Sequence, residues 1–267
     1  MICRDELVTF DGCDDGFLRG GKLLEWLDGV GAVAATRFAQ GPVVLVAVDA
    51  ADVRDRIEVG ARVTMRARVA DTTARSIGVL VTIMIELRRM ITSSLRFVAL
   101  DATGAVIAVP QLAPAGPPMR TDVAAACDDD ARHELAFVLD EPPKLLGARR
   151  RGARAGIRAP LAAYVHKPAM GRKIRIRSTL HGGELMKWIE QGASMSAAAF
   201  AGAPVRLAAV RGLSFLRPVP AGVLVGVDAV AAPGDGGGVT VRVRVADERD
   251  APPYARGALT YVAGTDP

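Results

Sequence analysis

The sequence predicts an α+β fold built from two copies of one unit, each a long helix wrapped by a curled antiparallel sheet. Two observations predict it. The stretch RGGKLLEWLDGVGA, which begins at Arg19, returns in similar form as HGGELMKWIEQGAS from His181, and several short segments rich in Val and Ile follow each copy. An amphipathic helix followed by β-rich segments, present twice in one chain, is typical of a duplicated α+β domain.

The duplication is supported by the two tryptophans of the chain. A shift of 162 positions aligns residues 18–60 with residues 180–222 without a gap, and it places Trp26 on Trp188. The other identical pairs are Leu18/Leu180, Gly20/Gly182, Gly21/Gly183, Leu23/Leu185, Phe38/Phe200, Pro42/Pro204 and Gly60/Gly222. We therefore expect an N-terminal domain over 1–112, a linker over 113–164 that is acidic and then basic, and a C-terminal domain over 165–267.

The order of elements within each copy follows from periodicity. In the first copy, Leu23, Leu27, Val30 and Ala34 recur at three- and four-residue steps, which predicts a helix with one apolar face that begins near Gly21, and its partner begins near Gly183. Alternating Val- and Ile-rich segments then predict about five antiparallel strands per copy. The clearest of them read PVVLVAVD, RVTMRARVA, IGVLVTIMIELR and SSLRFVALD, and later VRLAAV, LVGVDAV, VTVRVRVAD and GALTYVA. DATGAV, after SSLRFVAL, predicts a hairpin turn.

The composition excludes several classes of protein. At 267 residues with half of them apolar, the chain is long enough to bury a sizeable core. No apolar run reaches the length of a membrane span, and the first residues resemble neither a secretory signal nor a transit peptide. The three cysteines are scattered, which favours a reducing compartment over disulfides or a zinc site. We expect a cytoplasmic protein without a metal.

The net charge of +5 is unevenly distributed. Residues 144–177 contain eleven Lys and Arg and no acid, and such a run attracts phosphate groups. Stacking aromatic residues are absent from RRRGARAGIR, which disfavours nucleic acid as the partner. A solvated basic linker and a binding surface for a phosphate-bearing group such as CoA both remain open.

The motifs HGGELMKWIE, RGGKLLEWLD, LSFLRPVPAGV and LRFVALDATGAVIAVP resemble the hotdog-fold acyl-CoA thioesterases (acyl-CoA hydrolases) in their tandem, double-hotdog form. The likeness extends over roughly residues 5–112 and 170–265. It implies hydrolysis of acyl-CoA to free acid and CoA at a site between the repeats, with no cofactor beyond the CoA of the substrate. It also implies a homo-oligomer, a trimer of double hotdogs. By position, the resemblance places Arg75 and Ser76 near the CoA phosphates. The charge of the basic run predicts further phosphate contacts from some of Arg149–Arg158 or Arg172–Arg177, with Arg172 and Arg175 as the candidates.

The chemistry of thioester cleavage requires a carboxylate near a polarised carbonyl. The N-terminus of a helix, opened by Gly20 or Gly182, offers free N–H groups and a partial positive charge. Asp28 and Glu190 lie two turns further along, about 10.5 Å from the tip of their own helix, which is too far to act there. Antiparallel packing of the two helices would bring each acid to the tip of the other helix, and this predicts two composite sites.

The loops before the helices depart from the family pattern Asp-x-Asn-x-x-Gly-x-x-His-Gly-Gly. The first copy has Cys13 at the Asn position and Arg19 at the His position, and the second has Arg175 and His181. The chain contains no Asn. Two alternatives therefore stay open: a lapsed acyl-CoA-binding or regulatory protein, and an acyl-thioester dehydratase that would pair a His with an acid.

The two predicted sites are not equivalent. By resemblance, Asp28 stands where the family has its essential Asp, and it would face His181 and Gly182. Glu190 would face Arg19 and Cys13, and an ion pair with Arg19 would lower the pKa of Glu190 and weaken it as a base. We therefore expect any hydrolysis to take place at Asp28. Trp26 and Trp188 are interpreted as packing residues and Cys13 as a small loop residue.

Overall fold

The computed structural model describes the backbone of residues 1–86, 88–112, 161–168, 174–175, 179–247 and 252–264, and the side chains of the same residues except 161–168 and 174–175. Helix α1 spans Gly20–Ala39 and helix α2 spans Gly182–Ala201. Both start at the glycine pairs that the sequence predicted. Each helix ends at a residue with left-handed backbone conformation, Gln40 in the first copy and Gly202 in the second.

The strands of the first copy are β1 (Ile2–Leu7), β2 (Cys13–Asp14), β3 (Phe17–Leu18), β4 (Val43–Val53), β5 (Arg62–Thr72), β6 (Ser76–Ile85), β7 (Arg88–Leu100) and β8 (Val106–Ile107). Those of the second copy are β9 (Leu161–Pro168), β10 (Ile174–Arg175), β11 (Thr179–Leu180), β12 (Val205–Phe215), β13 (Leu224–Pro233), β14 (Val239–Asp247) and β15 (Ala255–Ala263).

One antiparallel sheet joins the two copies. Its strand order is β1-β5-β6-β7-β4-β12-β15-β14-β13-β9, with β8 paired to β7. The order is the same in both directions from the central β4–β12 pair. In that order, β4, β7, β6, β5 and β1 of the first copy correspond to β12, β15, β14, β13 and β9 of the second. The joined edges run from Asp52 opposite Ala209 to Ala47 opposite Ser214. The predicted α+β tandem fold is confirmed.

The core lies between each helix and the sheet that wraps it. Leu24 and Leu27 of α1, and Met186 and Ile189 of α2, are fully buried. They face inward-pointing strand residues such as Val81 and Val243. This is the arrangement that the helical and alternating patterns predicted, since one apolar face of each helix meets one apolar face of the sheet.

Two edge strands were not predicted from the sequence. Strand β1 contains three consecutive charged residues, Arg4, Asp5 and Glu6, and its register is set by β5, where Ile2 lies opposite Ala67. Strand β9 begins at Leu161, inside the segment predicted as a linker, and pairs with β13. The rest of that linker lies outside the described residues, so the domain boundaries stay a prediction. The DATGAV turn is confirmed, since Asp101 N–H donates to Ala105 O at 3.0 Å.

Neither α1 nor α2 combines the length and the apolar composition needed to cross a membrane. The finding applies to the helices that the structure describes.

Candidate active site

The two helices cross where their glycines allow close approach. A Cβ atom on Gly21 would lie 3.2 Å from Lys187 Cα, and one on Gly183 would lie 3.3 Å from Glu25 Cα. Lys187 and Glu25 occupy matching positions in the two copies, so the contact obeys the internal symmetry. Because the neighbours are main-chain atoms, a side chain at either glycine would push the helices apart.

Each acid reaches the start of the opposite helix. Gly183 N–H donates to Asp28 Oδ2 at 2.6 Å, and Gly21 N–H donates to Glu190 Oε2 at 3.0 Å. Asp28 is 2% exposed and Glu190 is 7% exposed. The antiparallel packing predicted both contacts, and the structure therefore brings Asp28 together with His181 and Gly182–Gly183, and Glu190 with Gly20–Gly21.

Burial controls the ionisation of Glu190. Loss of water around the carboxyl raises its pKa to about 7, against the lowering effects of the Gly21 N–H and the Tyr261 hydroxyl. More distant charges act in opposite directions, since Asp14 raises the pKa and Arg19 lowers it. At neutral pH this carboxyl therefore exists in both protonation states, which suits a group that accepts and returns a proton.

The predicted ion pair between Arg19 and Glu190 is wrong. Arg19 is half-exposed, and its Nε lies 3.7 Å from Asp14 Oδ2. Its charge lowers the pKa of Glu190, but less than any of the other groups named above affect it. Desolvation exceeds it, so the pKa of Glu190 is raised rather than lowered, and the pKa argument for ranking Asp28 first is lost.

A cavity of about 650 Å³ opens at Glu190. Its walls come from both copies: the loop and first turn around Arg19 and Gly20, the segment after β4, one face of α2 and the start of β12. Cations and apolar groups share this lining, with Arg56 and Arg206 near Ile57 and Leu207. A cavity of this size, part charged and part apolar, is typical of a small-molecule site.

The Asp28 end is organised differently. His181 Nδ1 lies 3.0 Å from Asp28 Oδ2 and 3.2 Å from Gly183 N. One nitrogen cannot donate to the carboxylate and accept from the amide at once. Because the amide's shorter contact goes to Asp28, we assign the proton to Nδ1, which donates to the carboxylate. Asp28 then orients His181, and in this tautomer Nε2 carries the lone pair.

The remaining predicted residues have simpler surroundings. Trp188 is buried and donates to Glu184 Oε1 at 2.8 Å, and Trp26 packs against the core. The Cys13 thiol donates to Thr9 O at 3.0 Å, and burial raises its pKa. Both observations fit the structural roles expected for these side chains.

The predicted CoA-binding residues do not converge among the described residues. Arg75 is exposed in the turn between β5 and β6, where the Ser76 hydroxyl lies 2.7 Å from that of Thr73. Neither belongs to the described lining of the cavity. Arg172 lies outside the described residues, as does the side chain of Arg175. Their roles stay predictions.

Sequence reasoning missed Tyr261 and two of the three described arginines that line the cavity, Arg56 and Arg206. Alternation along β15 places Tyr261 on the same face as Leu259, so the pattern indicated an inward side chain but not its contact with Glu190. The arginines follow β4 and begin β12, and only the pairing of those strands brings them to one cavity. In the described part of the chain, no group of three or more His, Cys, Asp and Glu is arranged to hold a metal.

Comparison with known proteins agrees with the fold. The chain is similar to a Lactobacillus plantarum protein described as an oleoyl thioesterase, with a TM-score of 0.68, 12% identity, and coverage of 99% of this chain and 96% of that chain. It is also similar to a 12:0-ACP thioesterase from Umbellularia californica (TM-score 0.65, 7% identity, 98% and 93% covered). A third similar structure is an acyl-ACP thioesterase from Bacteroides thetaiotaomicron, with a TM-score of 0.59, 12% identity, and coverage of 98% of this chain and 97% of that chain.

These identities are low, and the likeness shows a shared fold. No curated protein sequence matches the chain. The sequence profile of the thioesterase superfamily, in contrast, matches residues 15–91 and 178–251, once in each copy and together over more than half of the chain. The chain therefore belongs to the thioesterase superfamily and carries two hotdog units in tandem.

Proposed function

We propose that the protein hydrolyses acyl-CoA thioesters to free acid and CoA in the cavity between its two repeats, with Glu190 as the reacting carboxylate. One observation carries the proposal: Glu190, from the second repeat, lies in a cavity of about 650 Å³ with its carboxylate 3.0 Å from the Gly21 N–H of the first repeat. The choice of Glu190 replaces the sequence-based preference for Asp28, because the pKa argument behind that preference fails.

In the proposed reaction, Glu190 takes a proton from water as the water oxygen adds to the thioester carbonyl. Negative charge then develops on the carbonyl oxygen, which the positive end of α1 stabilises. Gly20 has no side chain and leaves this end open to the substrate. When the carbon–sulfur bond breaks, the proton passes from Glu190 to the departing thiolate, so the products are a carboxylic acid and a thiol.

The raised pKa of Glu190 supports this role. A base whose pKa lies near the working pH is available in its charged form and can still return the proton. A pKa of about 7 places Glu190 in that range. Asp28 accepts the equivalent backbone bond from Gly183 and differs in its other neighbour, since His181 Nδ1 lies 3.0 Å from its Oδ2.

Binding of the CoA part of the substrate is proposed by resemblance for Arg75 and Ser76 and from charge for Arg172 and Arg175. Arg75, Ser76, Arg172 and Arg175 are the residues proposed for the CoA phosphates, and Arg56 and Arg206 add positive charge inside the cavity. A homotrimer and a cytoplasmic location belong to the same proposal.

A second candidate function is supported by the contact between His181 Nδ1 and Asp28 Oδ2 at 3.0 Å. A histidine oriented by a buried carboxylate can act as an acid and a base, as hydration or dehydration of an acyl thioester requires. The Asp28 end would then carry out this reaction, and the Glu190 end hydrolysis or binding only.

The test is a set of parallel assays on purified protein. Release of free thiol is measured on acyl-CoAs of increasing chain length, hydration of the double bond is measured on the matching enoyl-CoAs, and binding is measured by calorimetry. Thiol release supports the proposal. Hydration without thiol release supports the second candidate, and binding without either reaction supports a lapsed acyl-CoA-binding protein and contradicts hydrolysis.

A further inference from the structure

We propose that Tyr261 is a positioning residue for Glu190: its hydroxyl holds the carboxyl group so that Oε2 faces the Gly21 amide and the cavity. The inference rests on the proposed function, since it concerns the carboxylate that we place at the reaction centre. Tyr261 is not expected to touch the substrate.

The contact is made inside the core. The Tyr261 hydroxyl donates to Glu190 Oε1 and to the Glu190 backbone oxygen, each at 3.4 Å. Both bonds are long, as expected of one proton shared between two acceptors. The tyrosine is fully buried, and no other hydrogen bond of its hydroxyl is present in the described part of the chain. A buried hydroxyl without an acceptor would carry a desolvation cost, so the two Glu190 oxygens stabilise Tyr261 in this position.

The sheet fixes the position of this tyrosine. Tyr261 lies on β15 opposite Leu207 of β12. Leu207 in turn lies against the start of α1, where its Cβ is 3.1 Å from the point that a Cβ of Gly20 would occupy. Tyr261 is absent from the described lining of the cavity, so it reaches the carboxyl from the core side while the substrate reaches it from the other.

The two repeats differ at this position in a way that matches their acids. The counterpart of Tyr261 is Phe97, because Phe97 lies opposite Leu45 as Tyr261 lies opposite Leu207, and a phenylalanine has no hydroxyl to donate. The counterpart of Glu190 is Asp28. Glu has one more rotatable bond than Asp, and fixing that bond costs conformational entropy. A second hydrogen-bond donor occurs at the site with the longer, less constrained acid, whereas Asp28 is held by Gly183 and lies beside His181.

The charged groups around Glu190 determine what removal of the hydroxyl should do. Asp14 and Arg19 face it from the loop before α1, Arg206 lines the same cavity from β12, and Glu184 and Lys187 do so from α2. The Tyr261 hydroxyl lowers the pKa of Glu190, and Glu190 together with burial raises the pKa of Tyr261 well above its ordinary value. Tyr261 therefore stays a neutral donor over the working pH range.

The test compares Tyr261→Phe with Tyr254→Phe. Tyr254 is also buried, but its hydroxyl donates to Asp247 Oδ2 at 2.9 Å. We expect Tyr261→Phe to lower kcat about tenfold with little change in KM, the effect of losing one bond to a charged group. It should also move the rising limb of the pH–rate profile to higher pH, by about 0.5–1 pH unit. Tyr254→Phe should change neither quantity.

Three outcomes separate this inference from the proposed function. If Glu190→Gln abolishes turnover but Tyr261→Phe behaves like Tyr254→Phe, Tyr261 has no positioning role. If Glu190→Gln leaves turnover intact, the proposed function fails at this site. If the unmutated protein has no turnover, the titration of Glu190 is followed through the pH dependence of unfolding instead, and an unchanged titration in Tyr261→Phe overturns the inference.

Discussion

Glu190 shows how burial can outweigh a neighbouring charge. The carboxyl is buried, and the cost of removing water from its charged form raises its pKa to about 7. Arg19 directly precedes Gly20 and Gly21, which lie against Glu190, but its side chain is half-exposed and lies near Asp14. A charge separated by solvent is screened, so it cannot offset the desolvation of a carboxyl in the core.

The raised pKa predicts a pH-dependent stability. The folded protein binds a proton at Glu190 more tightly than the unfolded chain does, because the pKa falls from about 7 to the ordinary 4.5 on unfolding. The stabilisation is fully present below pH 4.5 and is lost as the pH rises through 7, a change of up to about 3 kcal/mol. Denaturant unfolding of the wild type and of Glu190→Gln between pH 4.5 and 8 measures it.

The expected result is that the wild type loses stability relative to Glu190→Gln as the pH rises across that window. Glu58→Gln is the control, since it removes an exposed carboxyl. A constant difference between the wild type and Glu190→Gln across the window would show that burial does not raise this pKa.

At the scale of the helices, two glycines of α1 have different surroundings: Gly21 lies in the close contact between the helices, and Gly29 does not. A Cβ on Gly21 would meet Lys187 Cα at 3.2 Å, whereas a Cβ on Gly29 would meet nothing within 4 Å. Gly29→Ala should therefore stabilise the protein by about 0.5–1 kcal/mol and leave turnover unchanged. Gly21→Ala should destabilise it by about 1–3 kcal/mol and lower turnover, because the helices must separate at the site.

Thermal unfolding and thiol release on the two variants check this prediction. If Gly21→Ala is as stable and as active as Gly29→Ala, the close approach of the helices does not shape the site.

The elements that sequence reasoning identified are those with a strong internal pattern. Helix α1 has its apolar face at Leu23, Leu27 and Val30, and the long strands alternate, so their type followed from periodicity. Strands β1 and β9 have no such pattern, and they form by pairing with β5 and β13 at the edges of the sheet. The same limit applied to the site: the spacing of glycine and acid predicted the crossed contacts, but a pKa depends on burial and neighbours that the sequence does not show.

The two repeats share one sheet and one helix interface, so the whole chain should unfold as one unit. Strands β4 and β12 are paired, and across them Arg211 Nη2 lies 2.5 Å from Asp52 Oδ1. The tryptophans provide one probe per repeat. In Trp26→Phe the fluorescence reports the second repeat, and in Trp188→Phe it reports the first.

In each variant, the fluorescence transition in denaturant should coincide with the transition in far-UV circular dichroism, which reports the whole chain. Comparing two probes within the same variant removes the effect of the substitution on overall stability. Separate transitions would mean that the repeats unfold independently and that the shared sheet does not couple them.

The most direct test of the composite Glu190 site is a comparison of thiol release by Glu190→Gln and Asp28→Asn on one acyl-CoA that the wild type cleaves. If Glu190 is the reacting carboxylate, Glu190→Gln should lower kcat by about 10²–10⁴-fold, whereas Asp28→Asn should keep most of the activity. Circular dichroism of both variants confirms that they are folded. Loss of activity in Asp28→Asn with activity retained in Glu190→Gln would contradict the account and return the reaction to the Asp28–His181 end.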